Sequence, residues 1–167
     1  RGVWRRTTLE EYRKAEPQWE IVLDIDALNA SEDIPEGKQW VWHGADCLKP
    51  EYRRCLISLS PGGSDADVTR EFDLETQSFV EDGFYRPMAK GGLQWIDQDT
   101  VYVFTDFGPG SLTASGYPRI VKEWKRGTPL SEAITVYEAQ QTDIGAGAAR
   151  SWDHGATYDF VSRVISF

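Results

Sequence analysis

The sequence predicts an all-β chain: a β-propeller fragment of about two four-stranded antiparallel blades, with flanking strands and a short N-terminal helix. Three observations predict it. Residues 91–138 break at their turn chemistry into four strand-like pieces in succession, which is an antiparallel meander. The same grammar recurs at residues 39–81, an offset of about 50 residues that suits stacked four-stranded units. Seven Trp, seven Tyr and seven Phe, with a hydrophobic fraction of 40%, argue against disorder and favour strands. Two hairpin pairs of an ordinary β-sandwich are the alternative reading of the same pattern.

Residues 1–37 read as a lead-in. Arg1–Thr7 is basic, and Thr8 followed by Glu11 is a capping-box pattern. The helix it opens covers Leu9–Lys14, with Glu10 and Glu11 at its positive end and Arg13 and Lys14 at its negative end. Pro17 stops it. Trp19–Ile25 reads as a strand with Trp19, Ile21, Leu23 and Ile25 on one face, and 27–37 as a polar connection broken by Pro35 and Gly37.

Residues 38–86 form the first expected blade, with strands at Gln39–Trp42, Tyr52–Ser60, Asp67–Asp73 and Ser78–Glu81. Residues 91–139 form the second, with strands at Leu93–Ile96, Thr100–Thr105, Pro118–Lys125 and Ala133–Glu138. Arg70-Glu71-Phe72 overlies Lys122-Glu123-Trp124 in the repeat. Residues 140–167 read as a linker and the start of a further blade: Gln140–Ala149 is rich in small residues, and Asp159–Phe167 alternates as a strand. An apolar alternation that reaches the last residue leaves an open β edge. The chain is therefore expected to be a piece of a longer protein, and in isolation to self-associate through exposed strand edges.

A net charge of −9 repels phosphates and excludes nucleic acid as a partner. No apolar run approaches a membrane span. Cys47 and Cys55 flank a turn containing Pro50, so they either bridge a hairpin or stay as thiols. The usual burial of cysteine favours free thiols, and with them a reducing, cytoplasmic setting. Their spacing suits neither zinc nor redox chemistry, and no metal or cofactor is expected.

No G-x-S-x-G elbow is present, and His43 and His154 read as surface or hydrogen-bonded residues. The carboxylate pairs Asp24/Asp26, Asp65/Asp67 and Asp97/Asp99 flank turns, where Asp bonds its own backbone. Trp42, Trp95 and Trp124 sit at corresponding or alternating repeat positions and read as packing between sheets. The connection from Asp106 to Gly116 is longer than a hairpin turn needs, and long ordered loops often carry function. Pro109 and the following strand rule out a phosphate loop.

The run Trp4–Arg13, the segment Pro17–Leu28 and the stretches Thr105–Gly110 and Ser115–Arg119 resemble the N-terminal region of prolyl oligopeptidase-family serine peptidases. Arg70–Thr76 and Lys125–Pro129 fit the same region. The resemblance implies a propeller that covers a separate α/β-hydrolase domain of the same parent chain and restricts entry to short peptides. It carries no catalytic residue onto this chain, because the nucleophile belongs to the missing domain. The candidates for substrate gating or the domain interface are Asp106, Phe107, Gly108, Pro109, Gly110, Tyr117 and Arg119. A stand-alone propeller that binds proteins or carbohydrate is the competing function.

Overall fold

The computed structural model describes residues 2–166; Arg1 of the basic start and Phe167 of the last expected strand lie outside them. Its sheets stack in sequence order, so each blade finds one neighbour before it and one after it. β1 (Val3–Arg6) and β2 (Glu20–Asp24) form a hairpin, followed by β3 (Trp40–Cys47), β4 (Arg54–Pro61) and β5 (Asp67–Asp73) of the first blade. The fourth position of that blade is divided between β6 (Ser78–Phe79) and β7 (Tyr85–Ala89), both paired with β5. The second blade is β8 (Gly92–Asp97), β9 (Thr100–Phe104), β10 (Ile120–Lys125) and β11 (Ile134–Glu138), antiparallel throughout. β12 (Gly145–Asp153) and β13 (Ala156–Val164) form a last hairpin.

Period-two alternation sorts each blade's side chains between two neighbours. From the first blade, Cys55, Ile57, Leu59 and Phe72 face the lead-in, where Trp4, Val22, Ile25 and Leu28 cover them. Leu56 points the other way and joins Leu93, Trp95, Val101, Val103 and Trp124 between the blades. Tyr102, Ile96 and Val121 face onward to Ala146 and Ala148 of β12. Trp95 and Trp124 are thus inter-sheet packing residues, as expected.

The lead-in differs from the sequence reading. Helix α1 (Leu9–Tyr12) is shorter than expected; the Thr8 hydroxyl accepts from the Glu11 amide at 3.1 Å, while Glu11 turns its carboxylate to Gln18. The strand stops at Asp24 because the Asp24 carboxylate caps a second helix, α2 (Ile25–Ser31), accepting from the Asp26 and Ala27 amides. A register shift between Trp4 and Arg5 turns Val22 inward and leaves Ile21 and Trp19 outside, so only Leu23 and Ile25 of the expected face meet the core. Asn29 of α2 then pairs with both backbone groups of Trp40, satisfying the free edge of β3.

Two further expectations are corrected. Cys47 and Cys55 are direct register partners on β3 and β4, and they are bonded to each other. The bridge overturns the free-thiol reading and the argument from thiols for a reducing, cytoplasmic setting. No described helix is long and apolar enough to cross a membrane. Gln140–Ala149 is not linker throughout, since β12 begins at Gly145: its small side chains let the hairpin lie close against Tyr102 and Val121.

Of the carboxylate pairs, Asp97 makes its expected turn by accepting from the Asp99 amide, and Asp24 serves as a helix cap. Asp73 ends β5 with both oxygens on the Arg53 guanidinium and one also on the Glu75 amide at 2.8 Å. The Arg53 hydrogen bonds, helped by that amide, hold its carboxyl down to about 2. A depressed carboxylate stabilises the fold above the unfolded value near 4, and the contribution fades as pH falls toward the folded value. Because Arg53 is half-exposed, Asp73→Asn should cost about 1 kcal/mol at neutral pH and flatten the acid limb of the stability curve. Urea titrations between about pH 4 and pH 2 check this; parallel curves for the two proteins would refute it.

Candidate functional site

The inner ends of three sheets open on one cleft of about 700 Å³. β3 brings His43, β8 brings Gln94, and β12 brings Gly145 through Ala149. Phe104 at the end of β9, Tyr117 and Pro118 before β10, and Phe160 and Val164 of β13 supply apolar wall. Lys90, just after β7, and Asp65, in the β4–β5 turn, add one charge of each sign, with Lys90 Nζ 3.5 Å from Asp65 Oδ2 and 4.3 Å from the centre of the Tyr117 ring.

Behind the wall lies a buried ionic chain. Arg86 is fully buried in β7, and its guanidinium donates to Asp67, to the Thr69 hydroxyl and to the carbonyls of Pro87 and Ala89. Burial pushes the Arg86 group down from its ordinary value while the Asp67 charge opposes that shift. The second Asp67 oxygen lies 2.5 Å from His43 Nδ1. Asp67 was expected to serve a turn; it bridges a buried cation and a half-exposed histidine instead. Among the described residues neither histidine is hydrogen-bonded to a serine: His154 pairs with Asp153.

The expected site loop is folded on itself beside this cleft. Asp106 Oδ1 accepts from the Gly108 amide at 2.8 Å and from the Ser111 hydroxyl at 3.1 Å, closing a tight turn. Phe107 packs against the core between the blades, with Lys122 Nζ 4.4 Å from its ring centre. Gly108 and Gly110 both have positive φ, which a side chain would strain, and Pro109 lies between them. Arg119 fastens the loop by donating to the carbonyls of Gly110 and Ala139 and to Glu138. The loop meets the β11–β12 connection, with Ala114 N donating to Gln141 O and Thr113 Oγ1 to Ile144 O. Of the seven expected residues, Tyr117 alone lines the cleft.

A family model, that of the prolyl oligopeptidase N-terminal β-propeller domain, matches residues 1–161. The chain belongs to the prolyl oligopeptidase family. It is 44% identical over 168 residues to the uncharacterized peptidase y4nA of Sinorhizobium fredii, covering 99% of this chain and 23% of that one. It is 34% identical over 155 residues to the uncharacterized peptidase RP174 of Rickettsia prowazekii, covering 88% of this chain and 21% of that one. Among solved structures it resembles a post-proline cleaving enzyme from Rickettsia typhi, with a TM-score of 0.88, 30% identity, and coverage of 98% of this chain and 25% of that one. Oligopeptidase B from Leishmania major shares the fold at a TM-score of 0.67 and 12% identity, over 96% of this chain and 21% of that one. The chain thus spans about a quarter of the length of the relatives it matches, and it is the N-terminal propeller region of a prolyl oligopeptidase-like peptidase.

Sequence reasoning passed over Lys90 and Arg86 and assigned His43 and Asp67 only local roles. No motif joins these residues. Strand pairing alone brings them together, with Thr69 opposite Arg86 and Asp67 opposite Ala89.

Proposed function

We propose that this propeller region gates the passage of short peptides to a separate α/β-hydrolase domain of the same protein, which carries the serine nucleophile. The observation that carries the reading is the convergence of the inner strands β3, β8 and β12 on one open cleft beside the ordered 106–119 loop. Its action is steric: a mouth of this size accepts an extended peptide and refuses a folded protein. The 106–119 loop and the β11–β12 connection, bound to each other, form the face assigned to the hydrolase domain.

The test is made on the full-length protein with chromogenic peptides carrying proline, arginine or alanine before the scissile bond. A relative described as a post-proline cleaving enzyme makes proline the first to try. The expected result is cleavage of short peptides, loss of activity to a serine-directed reagent, and no cleavage of a folded protein containing the same site. Deleting Gly108–Ser115 should change peptide turnover or relax that size limit. Equal cleavage of folded and short substrates would sink the gating reading, and a protein that binds polysaccharide without hydrolysing any peptide would favour a binding module.

A further inference from the structure

We propose that His43 recognises the passing peptide directly: its Nε2 accepts a backbone N–H from an extended, uncharged segment lying in the cleft. The inference rests on the reading of the cleft as a peptide passage and adds a specific contact to it. Asp67 Oδ2 lies 2.5 Å from His43 Nδ1, and an ionised carboxylate can only accept, so Nδ1 carries the proton. In the neutral ring that leaves Nε2 as an acceptor. The side chain of His43 is 46% exposed, and the residue lines the cleft.

The supporting network is costly for a purely structural contact. Arg86 and Asp67 are both buried, and removing two charges from water commonly costs more than their attraction returns. Every Asp67 oxygen and most Arg86 donors are engaged, so the outward end of this rigid chain is one imidazole held in one tautomer. That is what a recognition group needs and what a core does not.

The surroundings fit the backbone of an uncharged peptide. Full charges on or behind the wall occur in offset pairs, Lys90 with Asp65 and Arg86 with Asp67, so no net local charge selects an ionic ligand. Lys90 can donate to a peptide carbonyl, the Tyr117 hydroxyl being turned to Asp65 Oδ2 at 3.5 Å, while Phe104 and Phe160 offer apolar wall for its side chains. An extended strand alternates N–H and C=O and so calls for an acceptor and donors side by side.

The experiment uses the full-length protein and the blocked peptide acetyl-Ala-Phe-Ala-Ala-amide, with each backbone nitrogen methylated in turn, and measures Kd by calorimetry. At one position methylation should weaken binding about five- to tenfold, the worth of one hydrogen bond. In His43→Ala, binding of the unmethylated peptide should fall by a similar factor, and methylation at that position should then have no further effect. His43→Gln, which restores an acceptor, should recover part of the loss. Should alanine lower the melting temperature, His43→Asn keeps a donor toward Asp67 on a shorter side chain and serves in the same cycle. A methylation effect of equal size in wild type and variant overturns the proposal while leaving the gate intact. A protein that neither binds nor cleaves any short peptide overturns both.

Discussion

Glu71→Ala is expected to destabilise the chain by about 3–5 kcal/mol, the usual cost of stripping one partner from a buried ion pair. Glu71 lies on β5 with no side-chain exposure. Its carboxylate accepts from Arg126 of the second blade at 2.8 and 3.1 Å, from Arg54 at 3.3 Å, and from the Phe84 amide at 2.9 Å. The Arg126 guanidinium also lies 4.6 Å from the centre of the Phe84 ring. Alanine would leave two guanidinium groups without their shared anion and a buried amide without an acceptor. The double replacement Glu71→Met with Arg126→Met removes both charges and should recover much of the loss. Urea unfolding checks both variants: the midpoint should fall for alanine at unchanged slope and return toward wild type in the double variant. An unaltered midpoint for Glu71→Ala would rule out this carboxylate as the fastening between blades.

Trp95→Ala should cost a comparable amount, about 3–5 kcal/mol, by the different route of an internal cavity. Trp95 is 1% exposed at the centre of the core between the blades. Its ring meets Phe84 edge-on at 5.8 Å, and Phe84 in turn meets Trp124 at 5.2 Å. Its Nε1 donates to the Asp46 carbonyl at 3.0 Å, tying β8 to β3. For a chain of this size the loss corresponds to a melting temperature lower by roughly 6–20 °C. Trp95→Phe keeps much of the packing and gives up the hydrogen bond, so its cost should be smaller. A phenylalanine variant as unstable as the alanine one would show that the hydrogen bond, rather than volume, dominates.

The second blade was legible because its strands carry the alternation that a sheet packed on both faces demands. Thr100–Phe104 and Ile120–Lys125 send Val101, Val103 and Trp124 one way and Tyr102 and Val121 the other. The meander survives in the pattern because each turn is short or visibly glycine-rich. Where packing broke the period, the reading failed. β7 contains Pro87 and buries an arginine, so its composition argues against the strand it forms. Residues 80–84 leave the outer strand and carry Phe84 into the core between the blades, so the expected strand Ser78–Glu81 stops at Phe79 and the unexpected β7 resumes the edge. α2 was hidden behind a strand-like alternation that ends at its cap, and β12 behind small residues chosen for close approach. The site was less legible still: Tyr117 was named, but His43, Asp67, Arg86 and Lys90 are distant in sequence and meet only through strand register.

β13 is exposed along its whole length, and Tyr158, Phe160 and Val161 stand on its surface, whereas the lead-in already covers the opposite end of the stack. During synthesis each new sheet can therefore dock on the one made just before it, and the sticky surface moves forward with the ribosome instead of accumulating. A nascent chain halted after the second blade would leave the onward face of Ile96, Tyr102 and Val121 open, with the first blade already sealed under Trp4, Val22, Ile25 and Leu28.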